Sequence, residues 1–281
     1  MTDSEDVIVA AADGTTLRGR LWPAPGKAQR IFVLVHGLKD HGGRYSELAA
    51  ALTPGGTAVA AFDLRGHGRS DGPRAFVRRF SDYTQDLRTE LDELKVRFPG
   101  CPIFLYGHSL GGAVAARFAL DHPKELAGLV LSAPALREPS TTPKAAAAIV
   151  RFLSAIAPHA RVFRPDVAGF SRVPAVLDAM AKDPLIDPRP VAARTAAELL
   201  RTMPTILADA RKFSDPLLVL HGTADRVTDP GGSASFVASV RSSSRRLVSV
   251  PGAYHDLLHE PEAQQLRDCI AKWVGDPTAI A

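Results

Sequence analysis

IFLYGHSLGGAVAARFAL, residues 103–120, joins an apolar run, a serine set among glycines and an Ala-rich stretch of helical pattern. In chain order that is strand, tight turn, helix. The centre, Gly107-His108-Ser109-Leu110-Gly111, fits G-x-S-x-G. The glycines answer a steric need: so sharp a turn brings strand and helix together, and a side chain at either glycine would crowd them while the serine hydroxyl is held out. Ser109 also lies where the helix begins, and a helix N-terminus favours developing negative charge. The five-residue match alone also suits a plain turn before a helix. Strand and helix on either side favour a nucleophile and predict an α/β sheet around it.

Working outward, other apolar runs share the strand character of 103–106. They are IFVLV (31–35), AVAAF (58–62), LVLSA (129–133), PLLVLHG (216–222) and RRLVSV (245–250). Helical patterns separate several of them, including 45–52, the amphipathic 80–98 and 111–122. Continuous apolar strands alternating with helices predict a mainly parallel sheet covered on both faces. Two shorter runs, 6–11 and 15–22, joined through Asp13-Gly14, add an antiparallel hairpin at the start. The sum is an eight-stranded sheet.

The rhythm breaks from about Leu136 to Met203. That stretch shows no strand-like run, is Ala-rich, and is cut by Pro143, Pro158, Pro165, Pro174, Pro184, Pro188 and Pro190. A helical insertion between the sixth and seventh strands falls on the sheet edge where an α/β fold places its site, so it reads as a lid. The expected division is 1–135 and 207–281 as two parts of one core, with 136–206 as the lid.

A serine nucleophile needs a base and an acid, which in this fold type follow it in the order acid, histidine, on loops after later strands. Of nine histidines, His255 stands just beyond the strand at 247–250, and His259 four residues later reads as a cap, rim or substrate-side residue. Asp225 follows the strand at 217–220 in a small-residue turn, whereas Asp229 precedes Pro230 and a helical run and reads as an N-cap. The candidate triad is Ser109, Asp225 and His255. The oxyanion hole is expected from the Leu110 amide and the Leu38 amide, the latter in the loop HGLKDHGGRY (36–45). His36, Asp63 and His67 read as loop supports.

Bulk properties exclude other classes. The chain of 281 residues is 46% hydrophobic and 23% charged, an ordinary folded composition, and its net charge of +4 is scattered rather than gathered into a nucleic-acid-binding block. There is no phosphate-loop spacing, no H-E-x-x-H and no C-x-x-C, so neither a metal nor an organic cofactor is implied. The acidic start lacks the features of a signal peptide, and no apolar window reaches eighteen residues. A cytoplasmic protein is expected, with room for a peripheral contact with a lipid surface through the lid run AAAAIVRFLSAIA (145–157). Oligomeric state is not encoded in any of these features.

Taken together, HGLKDHGGRY, DLRGHGRSDG (63–72), GHSLGG (107–112), KDPLIDP (182–188), LLVLHGTADRV (217–227) and GAYHDLLHEPE (252–262) make the chain resemble the monoacylglycerol lipase and lysophospholipase branch of the serine α/β-hydrolases. The resemblance implies an α/β-hydrolase fold, the same triad and the same oxyanion donors. It further implies that Asp40, His41 and Arg44 line or brace the polar end of a pocket that accepts glycerol. The chain departs from the family at Lys39-Asp40, where a small residue and Glu are usual, and at Leu258, where vertebrate members carry a histidine. The activity expected from the resemblance is hydrolysis of monoacylglycerols, and the substrate partner an acylglycerol or other small acyl ester. A general carboxylesterase, a lysophospholipase or a thioesterase fits the same motifs. So, in another class, does a ligand-binding protein that keeps the fold without turnover.

Overall fold

The computed structural model describes residues 3–138, 143–164 and 166–278. Residues 139–142 and Pro165, which fall in the expected lid, lie outside that set. The chain opens with a hairpin of β1 (Glu5–Ala10) and β2 (Thr16–Trp22), paired antiparallel from Glu5↔Leu21 to Ala10↔Thr16. At its turn Gly14 takes φ +83, the left-handed conformation that the Asp13-Gly14 signal anticipates.

The next strands are β3 (Arg30–Val35), β4 (Thr57–Phe62), β5 (Ile103–His108) and β6 (Gly128–Ser132). After the helical segment, which carries a short strand pair of its own, β7 (Arg161–Phe163) and β8 (Val191–Ala192), come β9 (Leu217–Gly222) and β10 (Arg245–Val250). The eight strands of the main sheet are ordered β1-β2-β4-β3-β5-β6-β9-β10, and every pair from β4 to β10 is parallel. This is the α/β-hydrolase architecture expected from the sequence.

Along β3 the pleat sends successive side chains into different layers. Ile31, Val33 and Val35 enter one layer with α2 (Phe80–Arg97) and α3 (Leu110–Asp121), through Leu87, Leu91, Val114 and Phe118. Phe32 and Leu34 enter the other, with α1 (Ser46–Leu52) and α8 (Ala263–Gly275), through Leu48, Ile270 and Trp273. Helices on both faces explain why the central strands are apolar throughout rather than alternating.

Between β6 and β9 lie α4 (Lys144–Ile156), α5 (Pro174–Lys182) and α6 (Ala193–Asp209). The segment differs from its sequence reading in two ways. Contrary to the expected absence of strands, β7 (Arg161–Phe163) pairs antiparallel with β8 (Val191–Ala192). Strands of three and two residues are too short for a period-two pattern to register. In addition, position 206 falls inside α6, whose Met203 and Ile206 belong to the core layer beside α3. That helix therefore serves both the inserted segment and the core. Among the described residues no helix is long and apolar enough to cross a membrane.

Candidate active site

Ser109 sits between β5 and α3 with φ +53 and ψ −117, a region that residues with a Cβ rarely occupy. The neighbours hold it there. Ser109 donates its N–H to the Ser132 carbonyl at 3.0 Å, and its own carbonyl accepts from Ala113 at 3.1 Å and Ala135 at 2.9 Å. A Cβ at Gly107 would collide with the Gly111 carbonyl, and one at Gly111 with the carbonyls of Val35 and His36. The two glycines let the helix start against the ends of β3 and β5, which is the close approach that the motif demands.

His255 follows β10 and is fully enclosed. Its Nδ1 lies 2.8 Å from Asp225 Oδ2, on the loop after β9. Burial alone would raise the Asp225 carboxyl, but its pairing with His255 and the hydrogen bonds from His221 and His255 hold it well below its ordinary value. An ionised carboxylate only accepts, so His255 carries its proton on Nδ1 and keeps Nε2 as the basic end. Among the described residues that Nε2 is buried without a hydrogen-bond partner. His108, the chain neighbour of Ser109, packs its ring 4.8 Å from that of His255, which brings the elbow and the imidazole together. Burial and then His255 keep His108 neutral, down at about 4.

Asp225 is held on every side. Oδ1 accepts the amides of Val227 (2.7 Å) and Thr228 (3.1 Å), and Oδ2 accepts the Thr228 hydroxyl at 2.9 Å and faces His221 Nε2 at 3.1 Å. Sequence reasoning passed over His221 and Thr228. The signal available for them was spacing alone, four residues before and three after the acid.

Ser109, Leu110 and Leu38 share the wall of a cavity of about 450 Å³, within the range of small-molecule sites. Leu110 begins α3, where the first amides have no partner inside the helix. Leu38 precedes Lys39, whose φ of +56 turns the loop. His36 fixes that loop's start: the Leu64 amide donates to Nε2 at 2.9 Å, so the proton is on Nδ1 and goes to the Gly37 carbonyl at 2.7 Å. Most of the wall is apolar, with Ala146, Ala147 and Val150 of α4, Leu199 and Met203 of α6, and Phe170. Phe170 also sets its ring edge-on to His255 at 5.3 Å. The charged part of the wall is Glu138, Arg164, Asp166 and Arg226.

The structure brings Asp40, Arg44 and His259 together, but does not put them or His41 in that wall. Arg44 bridges Asp40 at 3.0 Å and Asp256 at 2.6 Å, Tyr45 donates to Asp40 at 2.7 Å, and His259 Nδ1 meets Asp256 at 2.8 Å. The Arg44 charge outweighs burial and keeps Asp40 ionised; His259 and Arg44 together do the same for Asp256. His41 Nε2 meets Asp183 Oδ2 at 2.9 Å. Of lining or bracing, the contacts of Asp40 and Arg44 are bracing ones: two buried carboxylates require a shared cation, and the cluster joins the loop after β3 to the loop that carries His255. Asp229 caps α7 (Pro230–Ser239) through the Gly231 amide at 2.8 Å, and Asp63 accepts from the amides of Gly42 and Arg69, each at 2.8 Å.

Comparison with known proteins adds a likeness over nearly the whole chain. The family model described as serine aminopeptidase, S33, matches residues 26–262. A monoacylglycerol lipase of Mycolicibacterium smegmatis is 31% identical, over 94% of this chain and 95% of that protein. The human monoglyceride lipase is 34% identical, over 96% of this chain and 90% of its own length. The crystal structure of Paleococcus ferrophilus monoacylglycerol lipase superposes with a TM-score of 0.82 at 28% identity, covering 98% of this chain and 99% of that one.

Proposed function

Because this chain belongs to the serine aminopeptidase S33 family of α/β-hydrolases, we propose that it is a serine ester hydrolase that cleaves monoacylglycerols to fatty acid and glycerol. One observation carries the reading. Ser109, in a strained turn, lines a largely apolar cavity beside a buried imidazole whose Nδ1 is held by an ionised carboxylate and whose Nε2 is unpartnered among the described residues. An apolar cavity suits an acyl chain, and the paired imidazole suits ester cleavage.

In the proposed mechanism His255 Nε2 takes the proton of Ser109 Oγ as the oxygen attacks the ester carbonyl. The oxyanion that forms is held by the Leu38 and Leu110 amides, a contribution of about 10² to 10³ in rate per donor. The C–O bond to glycerol breaks, the leaving oxygen takes the proton from His255, and an acyl-enzyme remains. Water, deprotonated by the same Nε2, then releases the fatty acid and restores the serine. Asp225 keeps Nδ1–H in place throughout.

The segment 136–206 is proposed as a lid. Its α4 gives Ala146, Ala147 and Val150 to the cavity while Ile149, Phe152 and Ile156 are 57%, 63% and 64% exposed. A helix apolar on both its cavity and solvent sides suits a peripheral contact with a lipid surface, where the substrate resides. The test is turnover of a panel of equal acyl length: monoacylglycerol, lysophospholipid, simple alkyl ester and thioester. Monoacylglycerol is expected to be preferred, and Ser109→Ala to abolish turnover. Preference for lysophospholipid would replace the glycerol assignment, and full activity in Ser109→Ala would remove the mechanism.

A further inference from the structure

We propose that His221 is a positioning residue for this reaction, fastening the acid loop to the sheet through the same carboxylate oxygen that orients His255. The inference rests on the triad proposed above.

Asp225 stands on a loop, and a loop alone sets a carboxylate loosely. His221 stands on β9, in register with Ser249 of β10 and buried. Its Nε2 is 3.1 Å from Asp225 Oδ2, and its Nδ1 is 2.7 Å from Ser233 Oγ, a fully buried hydroxyl on α7. The ionised Oδ2 only accepts, so His221 carries a proton on Nε2, and its Nδ1 is hydrogen-bonded to the Ser233 hydroxyl. Both ring nitrogens are then satisfied. The ring connects α7, β9 and the acid loop in one chain of hydrogen bonds that ends on His255. With Oδ1 pinned by two backbone amides and Oδ2 by His221 and Thr228, the carboxylate has one remaining direction of strong acceptance, toward His255 Nδ1.

A purely structural histidine would need the same burial and the same two partners, so kinetics must separate the roles. A hydrogen-bond donor on Oδ2 draws on negative charge that His255 would otherwise feel. Removing it leaves that charge to the base, raises its proton affinity, and moves the acid limb of kcat/KM to higher pH. The other titratable and charged groups around His255 are His108 across the ring contact, Asp256 next in the chain, and Asp40 and Arg44, which act on His108. None of them is altered in the variants below.

The experiment measures kcat, KM and pH profiles of the full chain on a soluble short-chain monoacylglycerol for His221→Ala, His221→Gln and Ser233→Ala, with Ser109→Ala as control. His221→Ala is expected to lower kcat about ten- to a hundredfold, the cost of a small misplacement at reacting atoms, with KM unchanged and the acid limb moved up. His221→Gln, whose amide can still donate to Oδ2, is expected to recover most of kcat, and Ser233→Ala to shift the limb in the same direction by less. Wild-type kcat and limb in His221→Ala, a loss confined to KM, or an equal loss in the Ala and Gln variants would each overturn the proposal. If His221→Ala does not fold, Ser233→Ala with an unaltered limb overturns it. Turnover by Ser109→Ala would instead defeat the triad itself, whatever the His221 variants do.

Discussion

Replacing Asp225 by Asn exchanges one carboxylate oxygen for an NH₂ group, yet the surroundings dictate which way the amide must sit. Oδ1 receives the Val227 and Thr228 backbone amides, which can only donate. Turning the new NH₂ toward them would strand both donors, at about 1–3 kcal/mol each, so about 2–6 kcal/mol holds the amide oxygen at the Oδ1 position. The groups around Oδ2 can adapt instead. The Thr228 hydroxyl has the Ala133 carbonyl at 3.2 Å as a second acceptor, and the imidazoles of His221 and His255 can change tautomer. The NH₂ therefore faces His255, Nδ1 must accept, and the proton moves to Nε2, the end that has to take one from Ser109. A base in the wrong tautomer costs a serine hydrolase about 10⁴ in kcat, or about 5.5 kcal/mol of transition-state stabilisation. Since Asp225 is not part of the cavity wall, KM is expected to stay near wild type. Steady-state turnover of a soluble ester, with thermal melting to confirm folding, provides the assay. A folded Asp225→Asn enzyme within tenfold of wild-type kcat would refute this chain of reasoning.

Three further outcomes are expected. Arg44→Ala leaves Asp40 and Asp256 buried without their shared cation and is expected to cost about 3–5 kcal/mol in urea denaturation; a loss below 1 kcal/mol would contradict the burial argument. Burial holds His67 and His108 neutral, each down at about 4 from 6.5, so the unfolded chain binds more protons than the native one between those values. Stability is therefore expected to fall as pH drops from 6.5 toward 4, by on the order of 3 kcal/mol per group, with His36 adding to the trend and His259, raised by Asp256, opposing it. Denaturation midpoints that stay flat from pH 7 to 4.5 would contradict it. Finally, Ile149→Ser with Phe152→Ser is expected to weaken sedimentation with phospholipid vesicles while leaving turnover of a soluble short-chain ester within twofold; unchanged vesicle binding would argue against α4 as the contact.

The strands of the parallel part were legible as largely apolar runs between turns, β1 and β2 through the Asp13-Gly14 turn that joins them, and the elbow because Gly107 and Gly111 flank Ser109 between a strand and a helix. The pairing of β7 with β8 was not legible, being two and three residues long. Nor was the core role of α6, since Met203 and Ile206 look the same in a lid or a core. Asp225 could be singled out from Asp229 by the proline that follows the latter, a local signal of capping. Asp40, Arg44 and His259 show the limit of that method. The resemblance implied that Asp40 and Arg44 line or brace the polar end of a pocket, and His259 read as a cap, rim or substrate-side residue, but whether a charged side chain faces a cavity or a buried counterion depends on Asp256, which the chain delivers from 212 residues beyond Arg44. His221 left no mark beyond its spacing from Asp225, although its position on the strand is what lets it hold the acid's loop.

The Arg44 junction also bears on how such a protein can be rebuilt. It joins the loop that carries Leu38 to the one that carries His255, so these segments form a single electrostatic unit despite their distance along the chain. A chimera that took one loop from this protein and the other from a homologue would place carboxylates opposite a cation evolved for different neighbours. Recombination libraries across the family would therefore yield more folded progeny when residues 36–45 and 252–262 are exchanged together, with crossovers placed in the strands between them.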